Sequence, residues 1–352
     1  MRIERRELLA SLAAIAALGV AACGNDAGPM APVPLLQAVE LGVVLGSTDL
    51  SLTIFEVDDP TASTQVGLGP DGSPVTLAVR GDLAAVPLGL VPAVAIVDVD
   101  NGVLLRTVAL PTGSGATGAA FVNDSIVLVA NPSLNTVTPV NVLRGTTEPD
   151  IQVGRFPQAI VASGDRMYVL NSELENFVPA GPTTVSVLDA ESLQVTATIT
   201  LTGENAAAGA VGPDGRLYVL NSGSFGAADG SLSAINLVTE VETEHHPAFG
   251  DFPSALAFGP GGDLHLTSFA FGLAIWSIDV DAFVRDPADA IAPDGVPSAS
   301  GLGFDSAGRL YTLAPDCVNP SVANRLASDF SVDLAVAVGS CPIGIAFTVV
   351  QR

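Results

Sequence analysis

The chain has 352 residues, and its 37 aspartates and glutamates outnumber 13 basic residues, all of them arginine, to give a formal net charge of −24. A surface this negative repels phosphate backbones and anionic lipids, so the composition argues against nucleic-acid binding and favours cations or basic partners, or serves simply to keep a strand-rich protein soluble. Apolar residues make up 48%, but their one long uninterrupted stretch lies in the first 22 residues, so the remainder is predicted to form strands in water rather than membrane spans.

The N-terminus has the pattern of an export signal. Three arginines within the first six residues precede an apolar stretch at 8–20, which runs into Val20-Ala21-Ala22-Cys23. These last four residues resemble a bacterial lipobox, in which a signal peptidase cuts before a cysteine that carries a diacylglyceryl group. The resemblance implies that residues 1–22 are removed and that Cys23 anchors the protein by two or three acyl chains. An ordinary signal peptide with a chance cysteine is the alternative.

Residues 23–38 are predicted to be the lipidated cysteine and a flexible tether, because 24–34 is rich in glycine, proline and small residues. Gly24 stands where some bacterial lipoproteins have the aspartate that resembles an inner-membrane retention signal, so the outer membrane or the cell surface is favoured. Arg5-Arg6 also resembles a weak twin-arginine signal. The export route therefore stays open.

One short pattern recurs along the rest of the chain, a strand centred on a tyrosine or its substitute. Its central residues are Leu128, Tyr168, Tyr218, His265 and Tyr311, at steps of 40, 50, 47 and 46 residues. A period of 40 to 50 residues is typical of one four-stranded propeller blade per repeat. The sequence therefore predicts an all-β fold, a β-propeller that forms a single domain at 39–352.

Each repeat is predicted to contain four short strands, called a to d from the axis outward. Strand a is small and apolar, a glycine-rich turn follows it, strand b carries the tyrosine, and strand c alternates and ends in an acid or amide. Six complete blades are predicted at about 75–110, 116–153, 157–201, 205–249, 253–291 and 300–338.

The two ends of the chain are predicted to form a seventh blade together. Residues 341–347 match 252–258 and so have the pattern of a strand a with no strand b after it. Residues 41–45, 50–58 and 65–68 have the patterns of strands b, c and d with no strand a before them. Pairing of the two ends would close a seven-bladed ring and remove exposed strand edges. An eight-bladed ring and an open two-sheet sandwich are the alternatives.

Cys317 and Cys341 are predicted to form a disulfide. Cys317 follows strand b of the sixth blade and Cys341 precedes the final strand a, and the b–c and d–a loops of a propeller emerge on the same face. An exported protein meets oxidising conditions, which favour the bond. Two free buried thiols are the alternative.

The aligned repeats resemble the YVTN-type propeller repeats of surface-layer and exported microbial proteins, most clearly at 128–142 and in Tyr-Val-Leu-Asn at 168–171. The resemblance covers nearly all of 41–350 and extends to lactonase-like and other seven-bladed propellers. The signature drifts, with His265 in a tyrosine position and Pro87 where an asparagine is expected. Proteins of this kind range from surface binding or structural modules to lactone hydrolases, so the resemblance implies the fold and leaves the function open. The strand asparagines are expected to hydrogen-bond loop backbone.

Catalytic motifs are absent from the sequence. It contains no Gly-x-Ser-x-Gly elbow, no His-Glu-x-x-His pair and no P-loop. His245 and His246 follow alternating glutamates on a predicted outer strand, where a solvated polar edge is favoured over a metal site. His265 is expected to pack in the core.

A ligand or cation site is predicted at the central mouth of the face that carries the d–a and b–c loops. Carboxylates and amides there would suit Ca²⁺ or another hard divalent cation, as the lactonase-like resemblance implies, and scattered loop polar residues are the alternative. The candidate residues are Arg155, Asn171, Glu173, Glu175, Asn221, Asp251 and Asp316.

These features predict a monomeric, lipid-anchored extracytoplasmic propeller that acts as a binding or structural module, with its loop face turned away from the membrane. A protein, a glycan or a small molecule is the expected ligand at that face, and nucleic acid is not. The alternative is a lactonase-like hydrolase that uses a central divalent cation.

The anchor is tested by replacing Cys23 with serine. Cells that take up an alkyne-tagged fatty acid are expected to label the wild-type protein and not C23S, because serine offers no thiol for acylation. The mature wild-type protein is expected to begin at Cys23 by mass spectrometry. Label on C23S, or none on the wild type, would contradict the lipoprotein interpretation.

Overall fold

The recurring pattern produces antiparallel β-sheets throughout the described chain. The computed structural model describes residues 36–250, 252–268, 275–278, 294, 299–314 and 316–352, and Gln37–Arg352 forms one unit. Apart from a 3₁₀ turn at Pro132–Leu134, the regular structure in these ranges is β-strand, which confirms the all-β class. None of the same residues forms a helix long and apolar enough to cross a membrane. The predicted signal peptide and Cys23 lie outside the described residues.

The strands are named in chain order and grouped into numbered sheets. The first three are β1 (Ala38–Gly46), β2 (Ser51–Glu56) and β3 (Ser63–Gly67). Sheet 1 consists of β4 (Ala78–Arg80), β5 (Leu83–Pro87), β6 (Ala93–Asp98) and β7 (Val103–Ala109). Sheet 2 consists of β8 (Ala119–Phe121), β9 (Ile126–Asn131), β10 (Thr136–Asn141), β11 (Thr146–Thr147) and β12 (Ile151–Gln152).

Sheet 3 encloses a small hairpin in one of its loops. It consists of β13 (Pro157–Ser163) and β14 (Arg166–Asn171), followed after the hairpin β15 (Leu174–Glu175) and β16 (Val178–Pro179) by β17 (Thr184–Asp189) and β18 (Val195–Thr200). Sheet 4 consists of β19 (Ala206–Val211), β20 (Arg216–Asn221), β21 (Gly230–Asn236) and β22 (Val241–Gly250).

The last strands complete the series. Sheet 5 shows β23 (Pro253–Phe258), β24 (Leu264–Ser268) and β25 (Ile275–Ile278), and its predicted fourth strand falls outside the described residues. Sheet 6 consists of β26 (Gly301–Phe304), β27 (Leu310–Ala314), β28 (Pro320–Leu326) and β29 (Val332–Ser340). Sheet 7 joins β30 (Pro342–Gln351) to the first three strands in the order β3-β2-β1-β30. Each predicted repeat thus contains one sheet, and antiparallel sheets of this kind are consistent with a propeller.

The two ends of the chain share sheet 7. β30 pairs antiparallel with β1 from Ala38 opposite Gln351 to Gly46 opposite Pro342. Gln37 and Arg352 exchange two backbone hydrogen bonds, of 2.6 and 2.9 Å, so the pairing extends beyond the strands themselves. β1 therefore begins one residue inside the predicted tether.

The first strands of the sheets, here called the inner strands, contact one another in succession. They are β4, β8, β13, β19, β23, β26 and β30, and β30 in turn contacts β4. Glycine allows the close approach, since a Cβ atom at Gly118 would lie 2.6 Å from the carbonyl oxygen of Gln158 on the next inner strand. Small residues are therefore required on these strands, which explains their glycine- and alanine-rich pattern.

Alternate residues of a strand pack against different neighbouring sheets. Leu41, Val43 and Leu45 of β1 belong to an apolar cluster shared with sheet 1, whereas Val44 belongs to a cluster shared with sheet 6. The period of two in the sequence thus supplies both faces of each sheet with apolar side chains. Sheet 7 is held on both sides by burial of this kind.

The aromatic residue of the second strand packs against the first strand of the following sheet. Tyr218 meets Phe258 with ring centroids 5.2 Å apart, and Tyr311 meets Phe347 at 5.1 Å. His265 takes the same position against Phe304 at 5.0 Å and is 6% exposed. The expectation that His265 packs in the core is confirmed.

The Cys317–Cys341 disulfide is present, with a sequence separation of 24. Cys317 follows β27, and Cys341 stands immediately before β30 and donates its backbone N–H to the carbonyl oxygen of Asp316 at 2.6 Å. The bond therefore fixes the start of β30 to the neighbouring sheet, and the prediction of a disulfide is confirmed.

Removal of the disulfide tests its contribution to stability. C317S/C341S is expected to lose roughly 3–4 kcal/mol of unfolding free energy, because the crosslink restricts a loop of about 25 residues in the unfolded chain. Urea unfolding of the wild type and the variant measures the difference. Equal urea midpoints would contradict a stabilising role.

The buried His265 predicts a pH effect. Burial lowers the pKa of its imidazole below the ordinary value of 6.5, although the carbonyl of Asp263 partly offsets this. Below about pH 6.5 the imidazole is protonated in the unfolded chain but stays neutral in the folded protein. The free energy of unfolding therefore decreases as the pH is lowered, by at most about 1.4 kcal/mol per pH unit. H265Y, with the residue of the equivalent positions, is expected to lose stability less steeply between pH 7.5 and 5.5. Parallel curves for the two proteins in urea unfolding would refute this.

Candidate functional site

A left-handed residue stands where the chain enters several inner strands. We call these positions the junction residues. Those with positive φ are Gly115 (62°), Phe156 (54°), Asn205 (60°), Phe252 (53°) and Cys341 (53°). Glycine adopts this conformation freely, whereas a residue with a side chain pays about 1–2 kcal/mol. At the two positions occupied by phenylalanine, contacts of the side chain must therefore offset this backbone strain.

An open cavity of about 570 Å³, here called the mouth cavity, lies where the junctions meet the loops between second and third strands. This volume is typical of small-molecule sites. The junction side of the lining consists of Ser73, Gly115, Phe156, Asn205 and Phe252. The loop side includes Leu90, Ser133, Phe177, Ser222 and Phe225. Equivalent positions of successive sheets thus build one concave surface.

Two pairs of phenylalanines line the mouth cavity. Phe156 meets Phe177 edge to face with centroids 5.7 Å apart, and Phe225 meets Phe252 in the same way at 5.7 Å. Phe177 is 82% exposed and Phe225 is 75% exposed. Apolar rings that are exposed and converge on a concave surface mark a binding site more often than isolated surface residues do.

The polar groups of the lining are few and mostly engaged. The amide of Asn205 donates to the carbonyl oxygen of Gly223 at 2.8 Å, and the hydroxyl of Ser222 donates to that of Pro253 at 2.8 Å. The Oε1 atom of Gln158 is buried and accepts no hydrogen bond in the described chain. None of the described lining residues is titratable. The described lining is therefore mainly apolar and uncharged, with one amide oxygen that lacks a partner.

A second cavity of about 260 Å³ adjoins the mouth cavity and shares Val75 and Ala207 with it. Its lining comes from the inner strands of all seven sheets or from the residues just before them, and includes Gly118, Ala159, Gly209, Ala255, Gly301 and Gly344. The mouth cavity thus opens onto a narrow space lined by small residues.

Arg155, Glu173 and Glu175 lie beside the mouth cavity in sequence but do not line it. The guanidinium of Arg155 contacts the carboxylate of Glu175 at 3.5 Å, and both side chains are exposed. The carboxylate of Glu173 accepts the hydroxyl of Thr184 at 2.5 Å and the backbone N–H of Arg155 at 3.3 Å. These groups hold the loop after β14 in place.

Asn171 and Asn221 are fully buried at the ends of β14 and β20. The Nδ2 atom of Asn171 donates to the hydroxyls of Thr184 and Ser186 at 3.1 and 3.0 Å, and that of Asn221 donates to Ser233 at 3.0 Å. The Nδ2 atom of Asn221 also donates to the carbonyl oxygen of Val219 on its own strand at 3.4 Å. The partners thus lie on strands, and the expectation of bonds to loop backbone is wrong for these donors. The Oδ1 atoms of both residues lack a partner within the described chain.

Asp316 organises the loop that carries Cys317. Its carboxylate accepts the backbone N–H groups of Val318 and Asn319 at 2.8 and 2.9 Å. These bonds hold the pKa of Asp316 below its ordinary value, and the bond from Asn319 contributes most. Asp251 lies outside the described residues, and within those described no three His, Cys, Asp or Glu side chains cluster to hold a metal. The cation site remains a prediction.

The cavity lies on the face for which the sequence predicts a site, yet its described lining includes none of the candidates that the structure describes. The signals were present in the sequence. Phe156-Pro157 and Phe252-Pro253 occupy equivalent positions before inner strands, and Phe225 stands in a loop of glycine and small residues. Positive φ at the junctions, which turns these residues to the cavity, is not visible in the repeat pattern.

Comparison with known proteins extends to the fold alone. No protein-family profile matches the chain, and no curated protein does. Hydrazine synthase of Kuenenia stuttgartiensis, which contains a β-propeller, is similar in structure with a TM-score of 0.59. The match has 15% sequence identity and covers 79% of this chain and 95% of that chain. At this identity the likeness carries no chemistry from one protein to the other.

Proposed function

We propose that the protein is a closed seven-bladed β-propeller of the YVTN-like type, exported and lipid-anchored through Cys23, that binds a ligand in the mouth cavity. It is a binding module, and sheets 1 to 7 are its blades. The mouth cavity carries this proposal.

Support for the closed ring comes from contacts that return to their starting point. Each inner strand contacts the next, and β30 contacts β4. β1 contributes apolar side chains to clusters with both sheet 1 and sheet 6, so the blade made from the two chain ends has a neighbour on each side. The second cavity, with lining from all seven inner strands, would be the axial channel of such a ring.

The direction of β1 supports a mouth that faces away from the membrane. β30 starts beside the junction Cys341, where Pro342 pairs with Gly46. Ala38 lies at the other end of β1, opposite Gln351. The chain therefore enters the sheet at the end remote from the mouth. An anchor upstream of Ala38 is consistent with a mouth that faces partners outside the cell or in the periplasm.

Binding is supported by the composition of the mouth cavity. Four phenylalanines and one unengaged amide converge in about 570 Å³, with the two outer rings left exposed to water. Burial of those rings by a ligand would return about 25 cal/mol per Å² of apolar surface removed from water. The arrangement therefore suits recognition of a ligand, and the described lining holds no titratable side chain that could activate its hydroxyl groups.

A screen by thermal shift tests this function. Small molecules that raise the melting temperature of the wild type are expected to lose their effect on F177S/F225S, because that variant removes the exposed rings of the site. The fold is expected to be unaffected, since both rings are largely in water already.

A matched control comes from the opposite face. L143S/V238S replaces two exposed apolar residues in the turns between third and fourth strands and is expected to keep the response to each ligand. Ligands that stabilise F177S/F225S as strongly as the wild type would contradict binding in the mouth cavity.

A further inference from the structure

We infer that the mouth cavity takes a neutral, apolar small molecule with an aromatic ring, which packs on the two phenylalanine pairs and donates one hydrogen bond to the amide of Gln158. The inference rests on the proposed binding function and names the chemical class of its ligand.

The two junction phenylalanines are held in a conformation that suits glycine. Gly115 has a φ of 62° at the equivalent position of sheet 2, where it also lines the cavity. Phe156 and Phe252 take nearly the same φ and keep a ring that the backbone disfavours. Strain of this kind persists only where packing of the side chain or a function offsets it.

Phe330 has the same backbone conformation, and its packing explains it. It also has a positive φ, of 62°, but it packs against the buried cluster that contains Leu302, Leu310 and Leu326. Phe156 and Phe252 instead pack on rings that are themselves exposed, and their other sides line an open cavity. Core burial accounts for Phe330 and does not account for the junction pair.

The cavity selects against charge on the ligand. A buried ion needs a counter-ion or several hydrogen bonds, and the described lining holds neither a carboxylate nor a guanidinium. An anion is also repelled by the net charge of −24. A cation is attracted by that charge and by the ring faces, but the described lining offers it no carboxylate to replace the water it would lose. A neutral molecule has neither an ion to desolvate nor a charge that the protein repels.

Gln158 supplies the polar contact. The side chain lines the cavity, and its Oε1 atom is buried without a hydrogen-bond donor in the described chain, which is costly. Rotation of the amide would turn this acceptor to a ligand that donates. Gln158 is two residues from Phe156 at the start of β13, so the amide and the ring belong to one edge of the site. An N–H or O–H group on an aromatic ligand would satisfy the acceptor while the ring packs on phenylalanine.

Two fluorescent probes that differ by one sulfonate test the charge selectivity. N-phenyl-1-naphthylamine is neutral, aromatic and carries one N–H donor, and 1-anilinonaphthalene-8-sulfonate is the same molecule with an anionic group. The neutral probe is expected to bind the full-length protein with one site, and its sulfonate about tenfold or more weaker. Benzyltrimethylammonium is expected not to displace the neutral probe.

Variants of the phenylalanines separate binding from stability. F156G/F252G is expected to bind the neutral probe about tenfold more weakly, since it removes one ring of each pair, and to keep the melting temperature, since glycine relieves the left-handed backbone. F330G removes an equally strained ring outside the cavity. It is expected to lower the melting temperature and leave the affinity for the probe unchanged.

Gln158 is tested by a pair of changes. Q158L is expected to weaken N-phenyl-1-naphthylamine but not 1-phenylnaphthalene, which has no N–H group to donate. Equal effects of Q158L on both probes would remove Gln158 from the site. This variant also serves if F156G/F252G fails to fold.

The outcomes distinguish the ligand class from the binding function. If the sulfonate or benzyltrimethylammonium binds better than the neutral probe, and F177S/F225S abolishes that binding, the neutral class is wrong and the mouth still binds. If the neutral probe fails to bind the wild type, the inference is overturned. If every probe that binds ignores both phenylalanine pairs, the inference and the proposed function fall together.

Discussion

The pairing of β30 with β1 is the interaction on which the rest of the architecture depends. It joins residues 38–46 to 342–351 by a backbone ladder, and an apolar cluster on each side of β1 fixes the shared sheet between its neighbours. Arg352 adds ion pairs to Glu56 and Asp100, so the end of the ladder is held by charge as well. Without this pairing, β1 and β30 would each present an unpaired edge.

The site follows from the same geometry. The inner strands approach one another closely, so their side chains must be small. The chain must also turn sharply where it leaves the outer strand of one sheet and enters the inner strand of the next. The left-handed junctions perform that turn and set one residue from each of several sheets around a single opening. Glycine would satisfy the backbone at every junction. Phenylalanine at 156 and 252 adds an aromatic ring to the cavity lining at two of these junctions.

Much of this architecture could be predicted from the sequence, because it follows from the 40- to 50-residue repeat and from the alternation of apolar residues along each strand. The tyrosine-centred strands, the complementary terminal segments and the Cys317–Cys341 bond all follow from pattern and spacing. Local geometry could not be read in the same way. Among the described acids expected at the mouth, Asp316 accepts the backbone N–H of Asn319 in its own loop. Asn171 satisfies hydroxyls of the adjacent strand rather than a loop, because its partners depend on strand register. Backbone handedness at Phe252 leaves no mark on the repeat.

Native-state hydrogen exchange tests the pairing of the chain ends most directly. If β30 and β1 form an integral sheet of a closed ring, the amides that bond between 38–46 and 342–351 exchange only by global unfolding. Their protection then matches that of the central ladder between β20 and β21 to within about tenfold. Exchange of those amides at rates typical of frayed termini, with the β20–β21 ladder still protected, would contradict the account.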